Sequence, residues 1–136
     1  MKYLIIILFA LLIKGSSAQR IDWGNSNNWK IYRLKGHGIF SYSIDTLSNF
    51  KYYPLNEDSM RKFMQNASAV PKDSTPVWMG AYVASCLLKG KLVKVEISNY
   101  GGFFYCEADR CIYQIPIVLK NEWQDYIAQC YRNLYP

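Results

Sequence analysis

Residues 92–98 constrain the fold more than any other part of the chain, because their side chains alternate in character. Val93, Val95 and Ile97 stand at every second position, with polar or charged residues between them. Successive side chains of a strand point to opposite sides of a sheet, so a period of two predicts a strand with one apolar and one polar face. We expect a half-exposed strand here, and therefore a sheet with one buried side.

Two shorter strands are predicted directly after it. Residues 102–106 and 111–115 are rich in aromatic and β-branched side chains, and the four residues 107–110 between them have the length of a hairpin loop. Before it, residues 77–88 fit either a strand or a helix, and we favour the strand because a glycine turn leads from them into residues 92–98. The C-terminal half is therefore expected to be an antiparallel meander of about four strands.

The N-terminal half predicts further strands. Residues 29–34 and 39–44 flank the turn-forming sequence Gly36-His37-Gly38, which is typical of a hairpin. A third short strand is expected at residues 49–53, before Pro54 stops it.

Two segments have apolar side chains at helical spacing. The first has Asn56 or Asp58 as its N-cap and runs to about Gln65. The second has Asn121 as its predicted N-cap, and its apolar face consists of Trp123, Ile127, Cys130 and Leu134. Together these elements predict an α+β fold: a single small domain with an antiparallel β-meander sheet packed against a C-terminal amphipathic helix and one shorter helix.

The N-terminus has the layout of a secretory signal peptide. Lys2 is followed by an apolar run at residues 4–13 and by small residues up to Ala18, after which cleavage is expected. The apolar run would rise only about 15 Å as a helix, about half of a hydrocarbon core of about 30 Å. We therefore expect residues 1–18 to be removed and residues 19–136 to form one globular domain, periplasmic or extracellular, with no permanent membrane span.

The charge of the mature chain is modest. The whole chain carries a formal net charge of +6, and loss of Lys2 and Lys14 lowers it. The basic residues are scattered, apart from a local group at Lys89, Lys91 and Lys94, whereas nucleic-acid binding needs a denser basic face. We expect no nucleic-acid partner and no cofactor, and an extracytoplasmic protein as a candidate partner.

Four cysteines in an exported domain indicate disulfide bonds first. The hairpin predicted at residues 107–110 would place Cys106 opposite Cys111, which leaves Cys86 to pair with Cys130. Free buried thiols remain an alternative. Zinc is the other alternative, but no C-x-x-C pair is present and we expect no metal site.

One segment stands out as a candidate binding surface, namely Tyr100, Gly101, Gly102, Phe103 and Tyr105. The glycines permit a sharp turn or a close approach, and the strand after them is aromatic on both faces. An aromatic face near solvent would be a binding patch. A glycine bulge before a central strand packed on both sides is the structural alternative.

No catalytic motif is found in the sequence. The single histidine, His37, lies in a predicted turn, and the acids Asp45, Glu96, Glu107 and Asp109 are scattered along the chain. We therefore expect a non-enzymatic binding module, either an inhibitor or immunity-type protein with an exposed wedge, or a small-ligand binder with a concave pocket. The alternative is a small secreted hydrolase in which these acids converge beside His37.

Overall fold

Seven antiparallel strands form one sheet in the part of the chain that a computed structural model describes, which is residues 21–36, 43–74, 76–78 and 81–135. The order across the sheet is β2-β1-β4-β5-β6-β7-β3. The C-terminal meander is thus confirmed, and so is the α+β class. The strands are β1 (Ser26–Gly36), β2 (Tyr52–Pro54), β3 (Ser68–Ala69), β4 (Ala81–Leu88), β5 (Lys91–Ser98), β6 (Phe103–Cys106) and β7 (Cys111–Gln114).

Two α-helices, α1 (Glu57–Gln65) and α2 (Ile117–Arg132), cover one side of this sheet. Their aromatic side chains meet over it, with the rings of Phe63 and Trp123 5.3 Å apart. A short 3-10 helix, η1 (Trp23–Asn25), adds Trp23 to the same core. We call this side the helix face. Neither α-helix is long and apolar enough to cross a membrane, and the described residues contain no other candidate.

The opposite side, which we call the second face, carries a smaller apolar cluster. A second 3-10 helix, η2 (Ile44–Asn49), packs Leu47 there against Tyr32, Leu34 and Val83. The prediction that a strand runs through residues 39–44 is wrong at Ile44, which begins η2. Residues 39–42 and the predicted turn at His37 lie outside the described residues.

The first α-helix begins as predicted, whereas the second does not. The side chain of Asn56 accepts a hydrogen bond of 2.9 Å from the Ser59 N–H and so caps α1. Helix α2 begins directly after Pro116, whose φ of −54° suits a helix start, so Asn121 lies inside the helix and is not its cap. The predicted apolar face of α2 is confirmed, since Trp123, Ile127, Cys130 and Leu134 are all buried.

Strand β2 includes the proline that was expected to stop it. Two backbone hydrogen bonds to β1 flank this strand: Arg33 N–H donates to the Lys51 carbonyl at 2.8 Å, and Leu55 N–H donates to the Trp29 carbonyl at 2.9 Å. Because hydrogen-bonded and non-hydrogen-bonded pairs alternate along antiparallel strands, the backbone nitrogen of Pro54 points away from β1. Its lack of an N–H therefore removes no hydrogen bond between the two strands. Residues 66–76, which have the composition of a linker, contain the two-residue strand β3.

The prediction of a half-exposed strand at residues 92–98 is wrong. Lys94, Glu96 and Ser98 are 3%, 0% and 2% exposed, although they stand on the second face of β5. Strand β5 is central in the sheet, with β4 on one side and β6 on the other, and η2 contacts it. The alternation of apolar and polar side chains along β5 therefore marks two faces of the strand that are both buried, one apolar and one polar.

Candidate functional site

A cleft of about 440 Å³ lies on the second face of the sheet, between η2 and the strands β1 and β2. Its walls are largely aromatic and apolar, and the charged residues in its lining are, in the part of the chain that the structure describes, one lysine and one aspartate. The residues that define its chemistry are Lys30, Tyr32, Asp45, Phe50, Tyr52 and Leu92. We call this space the aromatic cleft.

The pairing of β1 with β2 builds one wall of the aromatic cleft. Tyr32 pairs directly with Tyr52, so both rings stand on the same face, with their centroids 6.4 Å apart in an edge-to-face arrangement. The Lys30 Nζ lies 4.5 Å from the centroid of the Tyr52 ring, a cation–π contact. The Tyr32 hydroxyl and the buried Ser85 Oγ, 2.7 Å apart, form a hydrogen bond that fixes this ring in the floor of the cleft.

The rim of the aromatic cleft is open to solvent. Tyr52 is 49% exposed and Leu92 is 46% exposed, which is unusual for two large apolar side chains beside one cavity. Asp45 stands in the first turn of η2, on the solvent side, and its carboxylate adds a negative charge to the rim. The cleft thus combines apolar walls with charges of both signs.

The predicted binding segment does not form one continuous aromatic surface. Tyr100 is exposed, whereas Tyr105 is buried opposite Glu96 on β5. Gly101 and Gly102 have positive φ values of 78° and 72°, and a Cβ on Gly101 would lie 2.6 Å from the Phe103 ring, which folds back over it. The turn itself is confirmed, and binding by these five residues stays a prediction.

The acids predicted for a hydrolase fall into separate places. Glu96 and Glu107 meet around Lys94, whose Nζ is 3.8 Å from a Glu96 carboxylate oxygen and 3.3 Å from one of Glu107. Asp45 lines the aromatic cleft, and Asp109 accepts hydrogen bonds from the Tyr113 hydroxyl and from the Cys111 N–H. His37 lies outside the described residues.

Glu96 is the most unusual of these acids. It is fully buried, and among the described residues neither carboxylate oxygen has a hydrogen-bond partner. Burial raises the pKa of Glu96 to about 7, the nearby Lys94 opposes this rise, and Glu107 adds to it. A carboxyl group with such a pKa can serve catalysis, but Glu96 lacks the access to solvent that a substrate requires.

The four cysteines are free thiols, and the predicted bridges are not formed. Cys106 and Cys111 are paired across the hairpin, as predicted from the loop length. Cys86 lies near Cys106, so a negative charge on Cys106 adds to the burial that raises the pKa of Cys86 to about 12. Cys130 lies on α2, where the Tyr126 hydroxyl is its hydrogen-bond partner. The described residues contain no group of three or more His, Cys, Asp or Glu side chains that could hold a metal ion.

The geometry defines a class of site, namely an aromatic cleft with a lysine and an aspartate at its edge. Comparison with family models, with curated proteins and with solved structures finds no match to this chain. Sequence reasoning missed this site because Tyr32 and Tyr52 are far apart in the chain, and only the β1–β2 register brings them together.

Proposed function

We propose that this protein is an exported, non-enzymatic binding module that holds a small ligand in the aromatic cleft. The observation that carries the proposal is the cleft itself, which is concave and walled by Tyr32, Phe50 and Tyr52. An inhibitor would instead need an exposed wedge, and in the segment 100–105 the Phe103 ring folds back while Tyr105 is buried. The concave alternative has the better support.

The lining points to a zwitterionic ligand with an apolar body. The rings and Leu92 offer apolar area, Lys30 offers a positive charge for a carboxylate, and Asp45 offers a negative charge for an ammonium group. A volume of about 440 Å³ falls within the range of small-ligand sites. An amino acid or short peptide with an apolar side chain has this combination of groups.

The export part of the proposal rests on the N-terminal sequence. Residues 1–18 have the basic, apolar and small-residue regions of a signal peptide. A small binding module outside the cytoplasm would meet short peptides there. The non-enzymatic part rests on the lining, in which Asp45 at the rim is the one carboxylate among the described residues of the cleft and has no carboxylate partner with which to share acid and base roles.

The test is calorimetric titration of the purified protein with the dipeptide leucyl-phenylalanine. We expect Tyr52→Ala to weaken binding about tenfold or more, because it removes the ring that faces both Lys30 and Tyr32. The matched control is Tyr100→Ala, which removes a similarly exposed tyrosine from the predicted binding turn and should leave the affinity unchanged.

The charges are tested separately from the aromatic wall. Binding should weaken for Lys30→Gln and for Asp45→Asn, and likewise for the dipeptide with its amino end acetylated or its carboxyl end amidated. If the folded protein binds no dipeptide, the assignment of the ligand class fails. If Tyr100→Ala weakens binding and Tyr52→Ala does not, the site lies at the turn and not in the cleft.

A further inference from the structure

A pair of thiols stands at the loop end of the β6–β7 hairpin, on the face of the sheet opposite to the aromatic cleft. Cys106 and Cys111 are direct cross-strand partners, and both side chains belong to the helix face. The Cα atoms of such partners are about 4.5–5.5 Å apart, which lies within the range that a disulfide spans. Both are free thiols here, so the hairpin holds a dithiol in position for oxidation.

The two thiols differ in their access to solvent. Cys106 is fully buried, whereas Cys111 is partly exposed and lines a small surface pocket of about 190 Å³. Burial raises the pKa of Cys106 to about 12. Burial and the Asp109 carboxylate also raise the pKa of Cys111, but the positive charge of Lys72 opposes the rise there. Cys111 is therefore the thiol that a reagent from solution reaches first.

The pocket beside Cys111 is basic. Its lining includes Lys72, Ser74 and Arg110, and the positive charge of Lys72 partly offsets the two larger effects, burial and the Asp109 carboxylate, which keep the pKa of Cys111 raised. A backbone hydrogen bond of 2.8 Å from Val70 N–H to the Ile112 carbonyl ties the segment before Lys72 to strand β7. Two cations and a hydroxyl beside a reachable thiol suit a disulfide reagent that carries carboxylates.

We propose that Cys111 and Cys106 form a redox pair, in which Cys111 reacts first with a small anionic disulfide of the glutathione type and Cys106 then completes a cross-strand disulfide. In the first step the Cys111 thiolate attacks one sulfur of the reagent, which forms a mixed disulfide and releases one thiolate. In the second step Cys106, after loss of its proton to water, attacks the Cys111 sulfur and releases the second thiolate. The protein loses two electrons, and the reagent is reduced to two thiols.

The test follows the reduced, purified protein with glutathione disulfide, using intact mass and peptide mapping. We expect the wild type to lose two hydrogens and to show a Cys106–Cys111 bond. The variant Cys106→Ser should stop at a mixed disulfide on Cys111. The variant Cys111→Ser should slow the modification of Cys106 about tenfold or more, because Cys106 is buried. Circular dichroism of each variant checks that its fold is retained.

The charge of the pocket is tested with two reagents. Cystamine, a cationic disulfide, should react about tenfold more slowly than glutathione disulfide, and the double variant Lys72→Gln with Arg110→Gln should remove this preference. A bond between Cys86 and Cys106 in place of Cys106–Cys111 overturns the pairing. Equal rates for both reagents with the wild type overturn the assignment of an anionic oxidant. Neither result bears on the aromatic cleft, because no residue is common to the two sites.

Discussion

Lys94 and Glu96 stand two residues apart on the second face of β5, both withdrawn from solvent, with Lys94 Nζ 3.8 Å from Glu96 Oε1. Lys94 is nearer to Glu107, at 3.3 Å, and Glu107 is partly exposed. Of these two carboxylates, the one nearer to the buried Lys94 is therefore the solvent-exposed Glu107. Glu96 is left with a pKa raised by burial to about 7, so its protonation changes near neutral pH.

Glu96 should make the stability of the protein depend on pH. Its folded-state pKa of about 7 lies above the ordinary value of 4.5, so the folded protein binds more protons between these two pH values. The free energy of unfolding should therefore fall as pH rises through this window, by at most about 3 kcal/mol. Urea unfolding at about pH 5 and about pH 8 measures the change.

The variant Glu96→Gln should lose that pH dependence and be more stable than the wild type at about pH 8, because the amide never ionises. Glu122→Gln is the control, since Glu122 is exposed and pairs only at the surface with Lys62. An unchanged pH profile in Glu96→Gln would mean that another group dominates the titration.

The two asparagines that the sequence predicts as helix caps should respond differently to alanine, because only Asn56 is a cap in the structure. Asn56→Ala removes the 2.9 Å hydrogen bond to the Ser59 N–H and should lower the free energy of unfolding by about 1 kcal/mol. Asn121→Ala lies inside α2 on the solvent side and should raise stability slightly, because alanine favours helix. Thermal unfolding of both variants compares them, and a clear loss in Asn121→Ala would contradict a helix start at Pro116.

Two glycines with positive φ offer a matched test of backbone strain and crowding. Gly90 has a φ of 75°, and a Cβ added there would have no other atom within 4 Å, whereas at Gly102 a Cβ would lie 3.0 Å from the Lys120 Cγ. Both alanine variants should lose about 1 kcal/mol for the left-handed backbone. Gly102→Ala should lose about 1 kcal/mol more, since the neighbouring side chain must move. Denaturant unfolding distinguishes them, and equal losses would show that Lys120 yields freely.

The buried hydrogen bond in the floor of the aromatic cleft can be measured by a double-mutant cycle. Tyr32→Phe leaves the Ser85 hydroxyl without this partner, and Ser85→Ala does the same to Tyr32. Each single variant should lose about 1–3 kcal/mol, and the double variant should lose less than the sum of the two. Additive losses would show that the two hydroxyls do not interact in solution.

Local sequence patterns correctly predicted those features of the fold that depend on interactions between residues close together in the chain. The capping side chain of Asn56 and the four-residue loop before Cys111 act within one turn or one hairpin, so they can be read from the sequence. The burial of Lys94 and Glu96 could not be read in this way, because it depends on the central place of β5 and on η2. The aromatic cleft was not predicted for the same reason, because Tyr32 and Tyr52 are brought together only by strand pairing.

The shortest strands of the described sheet, β2 and β3, stand at its two margins. A second molecule that extended the sheet could pair with only three residues at β2 or two at β3. One of the β2 residues is Pro54, which has no N–H to donate. Edge-to-edge pairing of two copies through β2 or β3 would therefore form very few backbone hydrogen bonds. We therefore expect the described sheet to resist edge-to-edge association, although the chain is rich in strands and in tyrosine.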